Sequence, residues 1–192
     1  MLTEIQEAKL ALRQRIRGVL KRIDLGQRAS ASVRVCLLLN RQSAWQAASS
    51  ILFYAPLPEE LDIWPLVVDS LGMGKTVVLP RFDPKTNRYS AACIQHLTRD
   101  IRLGHFGIRE PADHCSSMEL SSLDLALIPG IAFDVRGGRL GRGKGFYDQL
   151  LVHTGGMTCG VAFDEQIVAE VPIEPHDRRV KCVLTPTRWV EC

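Results

Sequence analysis

A chain of 192 residues holds one well-filled core and is too short for several, so residues 1–192 read as a single domain. Hydrophobic residues at 46% and charged residues at 23% are the proportions of a globular protein and exclude a disordered one. A net charge of +3 falls short of the asymmetry of a dedicated nucleic-acid binder, and no apolar run approaches the roughly 18 residues that span a bilayer.

The first residues are charged early and carry no signal-peptide core, so a cytoplasmic protein without membrane partners is expected. A monomer is expected as well. Six cysteines, Cys36, Cys93, Cys115, Cys159, Cys182 and Cys192, are widely spaced and form no C-x-x-C pair. Neither a zinc ribbon nor a redox motif follows; Cys36, Cys159 and Cys182 read as buried free thiols.

Thr3 with Gln6 forms a capping box ahead of a first helix. Ile5, Ala8, Leu12, Ile16, Val19 and Ile23 fall on its predicted core stripe. Lys9 and Arg13, four apart, share one face, which periodicity alone reads as solvated. A second helix is predicted over 30–49, with Val33, Leu37, Ala44 and Ala48 inward and an interruption between Asn40 and Ser43. Ile51 to Tyr54 is a short apolar strand without alternation, as in a parallel sheet covered on both faces. Glu59, Glu60 and Asp62 follow it. Helix-dipole compensation accounts for Glu59 and Asp62. Glu60 and Ala55 lie just past a strand end, where α/β proteins bind ligands.

A helix runs from Trp64 to Leu71, with Pro65 in its first turn. A strand from Thr76 to Leu79 is closed by Pro80. A turn at Asp83, Pro84 and Asn87 leads into a strand from Tyr89 to Ile94. Gly107 to Pro111 reads as a rigid turn, with Glu110 a weak site candidate, and the next residues to Ser122 as a surface connection. Thr158 to Phe163 is a further strand, Lys181 to Leu184 the final edge strand, and Trp189 packs the tail. Short apolar strands alternating with helices define an α/β fold, three-layered, with a mainly parallel sheet flanked by helices.

The most informative stretch is Pro129 to Leu151. An apolar strand, Leu123 to Ile131, leads into a glycine- and arginine-rich loop, Arg136 to Gly145, and then a helix. That order is how a backbone approaches phosphate. Gly138, four residues, Gly143 and Lys144 nearly match a Walker A motif, but Gly145 stands where Ser or Thr would ligate magnesium. An oxygen ligand must come from elsewhere, and Asp148 is nearest. A basic glycine loop is also found as a plain surface turn or a nucleic-acid contact; the order of the parts, apolar strand first and Asp148 after, favours reading the chain as a phosphate-binding α/β protein.

The run Pro129-Gly130-Ile131-Ala132-Phe133-Asp134, then Gly138-Arg139-Leu140-Gly141-Arg142-Gly143-Lys144-Gly145-Phe146-Tyr147-Asp148, resembles the signature of the 5-formyltetrahydrofolate cyclo-ligase family. The resemblance runs with gaps over nearly the whole chain. It implies a Rossmann-like fold and an ATP- and Mg2+-dependent conversion of 5-formyltetrahydrofolate to 5,10-methenyltetrahydrofolate, through phosphorylation of the formyl oxygen and ring closure.

By the same resemblance, Lys9, Arg13, Arg139, Gly141, Arg142, Gly143, Lys144, Gly145, Phe146 and Tyr147 bind ATP, with Arg142 and Lys144 catalytic. Ala55, Glu60, Arg142, Phe146 and Tyr147 contact the folate. Asp148 and Asp177 hold the metal. Phe146 departs from the family, which commonly has tyrosine there. Two alternatives stay open: a catalytically altered member of the family, and a phosphate- or nucleic-acid-binding module. Lys144→Ala and Asp148→Ala are each expected to abolish turnover and leave the thermal melt nearly unchanged.

Overall fold

A computed structural model describes residues 2–86, 88–104 and 107–192; the turn residue Asn87 lies outside the described residues. Helices α1 (Glu4–Leu20), α2 (Leu25–Asn40) and α3 (Ser43–Ala47) precede strand β1 (Ser50–Leu52). The Thr3–Gln6 capping box starts α1, and a second box, Asp24 with Gln27, starts α2. The break between α2 and α3 falls where Asn40 to Ser43 predicts it.

Next come α4 (Trp64–Gly72), β2 (Thr76–Asp83) and β3 (Arg88–Ile94), then the small hairpin β4 (Ile101–Leu103) and β5 (Arg109–Pro111). Strand β6 (Leu125–Pro129) is followed by β7 (Ala132–Phe133) and β8 (Arg139–Leu140), then α5 (Phe146–His153). Strands β9 (Met157–Val161), β10 (Cys182–Leu184) and β11 (Trp189–Glu191) complete the chain.

Seven strands form one sheet in the order β11-β10-β9-β6-β1-β2-β3. The inner five are parallel; β11 and β3 pair antiparallel at the two edges. The predicted α/β class and mainly parallel sheet hold. Successive strand residues serve two cores. Ile51, Val77, Leu125, Leu127 and Cys159 pack with Leu12, Ile16, Val35, Leu39 and Leu66 of the helices. Leu52, Val78, Ala126, Ile128 and Val183 pack on the other face with Phe133 and with Leu151 of α5. One helical layer thus carries α1 to α4, and the other has α5 with the loop that precedes it.

Several local expectations change. Val33 and Leu37 are exposed; α2 buries Ala31, Ser32, Val35, Cys36 and Leu39 instead. Ile5 and Ala8 are exposed, whereas Lys9 is buried with Leu12, Ile16 and Leu20. Pro80 does not end its strand. It sits opposite Ala91 in the β2–β3 ladder, beyond the reach of β1, which pairs with β2 only as far as Val78. Its missing N–H therefore leaves no unmet partner on that side. Gly107 to Pro111 is not merely a turn, because Arg109 to Pro111 pair with β4. Lys181 to Leu184 is not the edge, because Trp189 to Glu191 add one further strand. The cysteine reading stands: all six are free thiols, and Cys36, Cys159 and Cys182 are buried.

Candidate active site

Strand β1 feeds β2 on one side, and the chain later returns to place β6 on the other. The sheet order reverses between β1 and β6, and ligands of α/β proteins bind outside the carboxyl ends of strands at such a point. A cavity of about 250 Å³ lies there. Ala55 lines it just beyond β1, and Pro129 and Gly130 at the end of β6.

One wall is the glycine loop. Arg139, Gly141, Arg142, Lys144 and Gly145 line it, with Phe146, Tyr147 and Asp148 of the first turn of α5. Gly143 and Gly145 have φ of +102° and +67°, conformations that side chains oppose, so glycine is required there. Gly145 is the N-cap of α5 and, having no side chain, makes no side-chain cap bond to its first turn.

Buried Asp134 shapes the loop. Its carboxylate accepts from Arg136 N and Gly138 N at 2.9 Å each and from Val171 N at 2.9 Å. In the sequence Asp134 stands out only as part of the signature, and its position before a glycine turn is the available clue. Arg139 is almost wholly buried. It donates to Pro129 O at 3.3 Å and to Asp148 Oδ1 at 2.7 Å, which ties the end of β6 to α5. Its guanidinium also stands 5.9 Å from the Tyr147 ring centre. Arg136 differs from the other loop cations: it is exposed and pairs with Glu170, outside the cavity lining.

The opposite wall is largely apolar and includes Leu57, Pro80 and Tyr89. Phe146 packs edge-on against Tyr89 with ring centres 4.8 Å apart, and against Phe82 at 5.7 Å. A phenylalanine at this position suits that aromatic contact. Burial and the nearby Glu60 carboxylate push the Tyr147 phenol well up, so it stays protonated.

Arg142 bridges the walls, donating to Glu60 Oε1 at 2.9 Å and Glu59 Oε1 at 3.0 Å. Burial disfavours its charge, but Glu60 and Glu59 outweigh that and raise its pKa. Glu60 also accepts from Leu57 N at 3.0 Å, which fixes its carboxylate in the lining. Glu59 is therefore an arginine partner. Asp62 keeps its helix-start role, accepting from Trp64 N at 2.9 Å.

Lys9, Arg13 and Asp177 lie outside the cavity lining, as does Gly143. Arg13 Nε donates to Gly141 O at 2.9 Å, so α1 is tied to the loop. Lys9 forms a short bond to Asp177 and a 2.7 Å bond to Glu174, so neither residue presents a solvated face. Burial lowers the Lys9 pKa, but its two carboxylate partners more than offset this and raise it. Burial raises that of Asp177, yet the Glu174 N–H and Lys9 bring it below the ordinary range.

The signs define a pH window. Stability from Asp177 is complete above its ordinary pKa, about 4, and is lost as pH falls through the lowered value. That from Lys9 is complete below about 10.4 and is lost as pH rises through its raised value. Lys9→Met is expected to lower the urea midpoint at pH 7 and to flatten its decline between pH 5 and pH 2, about the span over which a lowered aspartate titrates. Parallel acid profiles for the two proteins would show that Lys9 does not hold Asp177.

Among the described residues one further cluster of metal-type side chains occurs, Asp100, His114 and Cys115. The Asp100 carboxylate already accepts from Arg99, Gln95 N and His96 N and meets His114 at 3.0 Å, so it anchors its own turn. No described helix is long and apolar enough to cross a membrane.

The chain is thus a Rossmann-like α/β protein with a cationic glycine loop facing a carboxylate-bearing wall across a cavity at the point where the sheet order reverses. The profile of the 5-formyltetrahydrofolate cyclo-ligase family matches residues 5–186, and the chain belongs to that family of enzymes. The chain is 26% identical to the mouse (Mus musculus) 5-formyltetrahydrofolate cyclo-ligase, over 94% of both chains. It is 32% identical to the Escherichia coli (strain K12) 5-formyltetrahydrofolate cyclo-ligase, over 73% of this chain and 80% of the other. The solved structure of Aquifex aeolicus 5,10-methenyltetrahydrofolate synthetase superposes with a TM-score of 0.86 at 28% identity, covering 95% of this chain and 92% of that one.

Proposed function

We propose that this protein converts 5-formyltetrahydrofolate to 5,10-methenyltetrahydrofolate at the expense of ATP, with magnesium. The observation that carries the reading is one cavity with two unlike walls, at the point where the sheet order reverses. A pterin is flat and presents ring N–H donors, which suits the Phe146–Tyr89 contact and the Glu60 carboxylate. A triphosphate suits the cationic loop and the first-turn amides of α5.

In the reaction the γ-phosphoryl group of ATP passes to the formyl oxygen and ADP leaves. The N10 nitrogen attacks the activated carbon, its proton is lost, and the C–O bond breaks to release phosphate. Phosphoryl transfer needs positioning and charge neutralisation above all. Lys144 and Arg142 supply charge on the loop wall, and Arg142 is a planar fork suited to a phosphoryl group. Tyr147, kept neutral, adds a ring wall and no competing negative charge. Glu60 holds the pterin in register.

The donor set fits magnesium, which takes one or two carboxylates with phosphate and water oxygens. Asp148 lines the cavity and would hold the ion, whereas Asp177, outside the lining and held by Lys9, would have to exchange that partner to join it. Bound there, magnesium would neutralise phosphate charge. A cytoplasmic, monomeric enzyme without nucleic-acid partners completes the proposal.

The test is spectrophotometric. Purified protein, 5-formyltetrahydrofolate, ATP and magnesium are mixed, and the near-ultraviolet absorbance of the methenyl product is followed. A rise that needs both ATP and metal is expected. No rise from folded protein that still binds ATP would leave the loop reading and overturn the substrate. Salt-sensitive binding of RNA without turnover would favour a polyanion-binding module instead.

A further inference from the structure

Four cations line the cavity, and three of them come from the loop wall: Arg139, Arg142 and Lys144. The fourth, Arg109, reaches it from β5, on a different part of the chain. Arg139 holds Asp148, and Arg142 holds Glu59 and Glu60. Among the described residues no carboxylate pairs with Arg109. Its guanidinium lies over Trp64, 5.0 Å from the ring centre. Stacking fixes the plane of a guanidinium and leaves its in-plane N–H donors available, a preformed fork for a carboxylate. In the lining Ile108 precedes it and buried Glu110 follows it, and Leu57 and Pro80 add apolar surface.

A ligand matched to that side has an apolar body and an anionic end. 5-Formyltetrahydrofolate has this form: beyond the pterin comes an aminobenzoyl ring and then a glutamate with two carboxylates. We infer that Arg109 is the specificity residue for the anionic glutamyl tail of the folate, while the loop cations serve the phosphates. The inference rests on the folate reading above. It assigns the fourth cation to the end of the substrate farthest from the chemistry.

The experiment compares 5-formyltetrahydrofolate with its glutamyl α,γ-dimethyl ester, which keeps the skeleton and removes the tail charge. Calorimetry gives the Kd of each for wild type, Arg109→Gln and Arg109→Lys, and ATP is titrated in parallel. Wild type is expected to bind the diacid about tenfold more tightly than the diester, the size of one charge-assisted hydrogen bond. Arg109→Gln should bind the two equally, at the diester's affinity, with the Kd for ATP unchanged; Arg109→Lys should recover part of the preference. Equal weakening of both compounds would assign Arg109 to packing alone, and a raised Kd for ATP would assign it to the nucleotide; either overturns the inference. A wild-type preference for the diacid without turnover would sink the proposed reaction and leave the tail contact standing. Wild type that binds neither compound refutes both.

Discussion

Asp148→Ala is expected to lose turnover and stability together. The sequence expectation of an unchanged melt treated Asp148 as a metal ligand alone. In the structure it is also the sole carboxylate partner, among the described residues, of Arg139, whose side chain is 2% exposed. Removing it leaves a charge buried without compensation, which costs about 3–5 kcal/mol. That is a large part of the roughly 5–15 kcal/mol that holds a domain together. The melting temperature of a chain this size should fall by roughly 10 °C. Asp148→Asn separates the two roles: the amide still accepts from Arg139 but brings no charge to a metal. It should recover part of the lost stability and little of the activity. An unchanged melt for Asp148→Ala would mean that water or another group takes over the guanidinium, and the tie between β6 and α5 would carry no energy.

How much of this was legible in the sequence depended on whether the deciding partner was local. The capping box at Thr3, the break after Asn40 and the strand–loop–helix order at 125–153 are set by near neighbours, and they appear where expected. The phase of α2 was not legible, because Val33, Val35, Cys36, Leu37, Leu38 and Leu39 place apolar residues at almost every angle around the helix. Only the packing of the sheet selects Val35 and Leu39. The strand at Pro80 was cut short by a rule that holds for inner strands; here β1 has already ended.

The site was legible wherever it is contiguous. Residues 139–148 supply a whole wall and were named together. The other wall comes from four separate segments, and of these only Ala55 and Glu60 were named as substrate residues. Tyr89 carries no motif, and Arg109 lies in the segment from Gly107 to Pro111 that reads as a rigid turn; they matter because β3 and β5 fold back beside β2. Lys9 shows the same limit from the other side. Its helical spacing reads as a solvated face, and the residues that bury it, Glu174 and Asp177, lie 165 and 168 positions away. Family resemblance marked Lys9 and Asp177 as functional. It did not indicate that they pair with one another, so any nucleotide contact by Lys9 must compete with that pair.

Lys144→Ala provides the opposite case to Asp148→Ala. Lys144 is exposed, lines the cavity, and sits between two glycines with positive φ. The backbone holds the loop, through Gly143, Gly145 and the hydrogen bonds to Asp134, so the lysine side chain is not needed for its shape. Truncation of an exposed side chain outside the core usually changes stability by about 0.5 kcal/mol or less. Activity should respond very differently. Charge developing on a transferring phosphoryl group is neutralised by cations already in place, and loss of one such donor typically costs on the order of 10²–10³ in kcat. The expected result is therefore a melt within about 1 °C of wild type and a kcat lower by that factor, with the folate KM little changed. Lys144→Arg should restore only part of the rate, because a planar fork does not replace a compact ammonium group on this tight loop. Wild-type turnover in Lys144→Ala would remove the residue from the phosphate site. Arg139, buried against Asp148, and Arg142, held by Glu59 and Glu60, would then be the loop cations left to meet the phosphates, and both would have to exchange partners to do so.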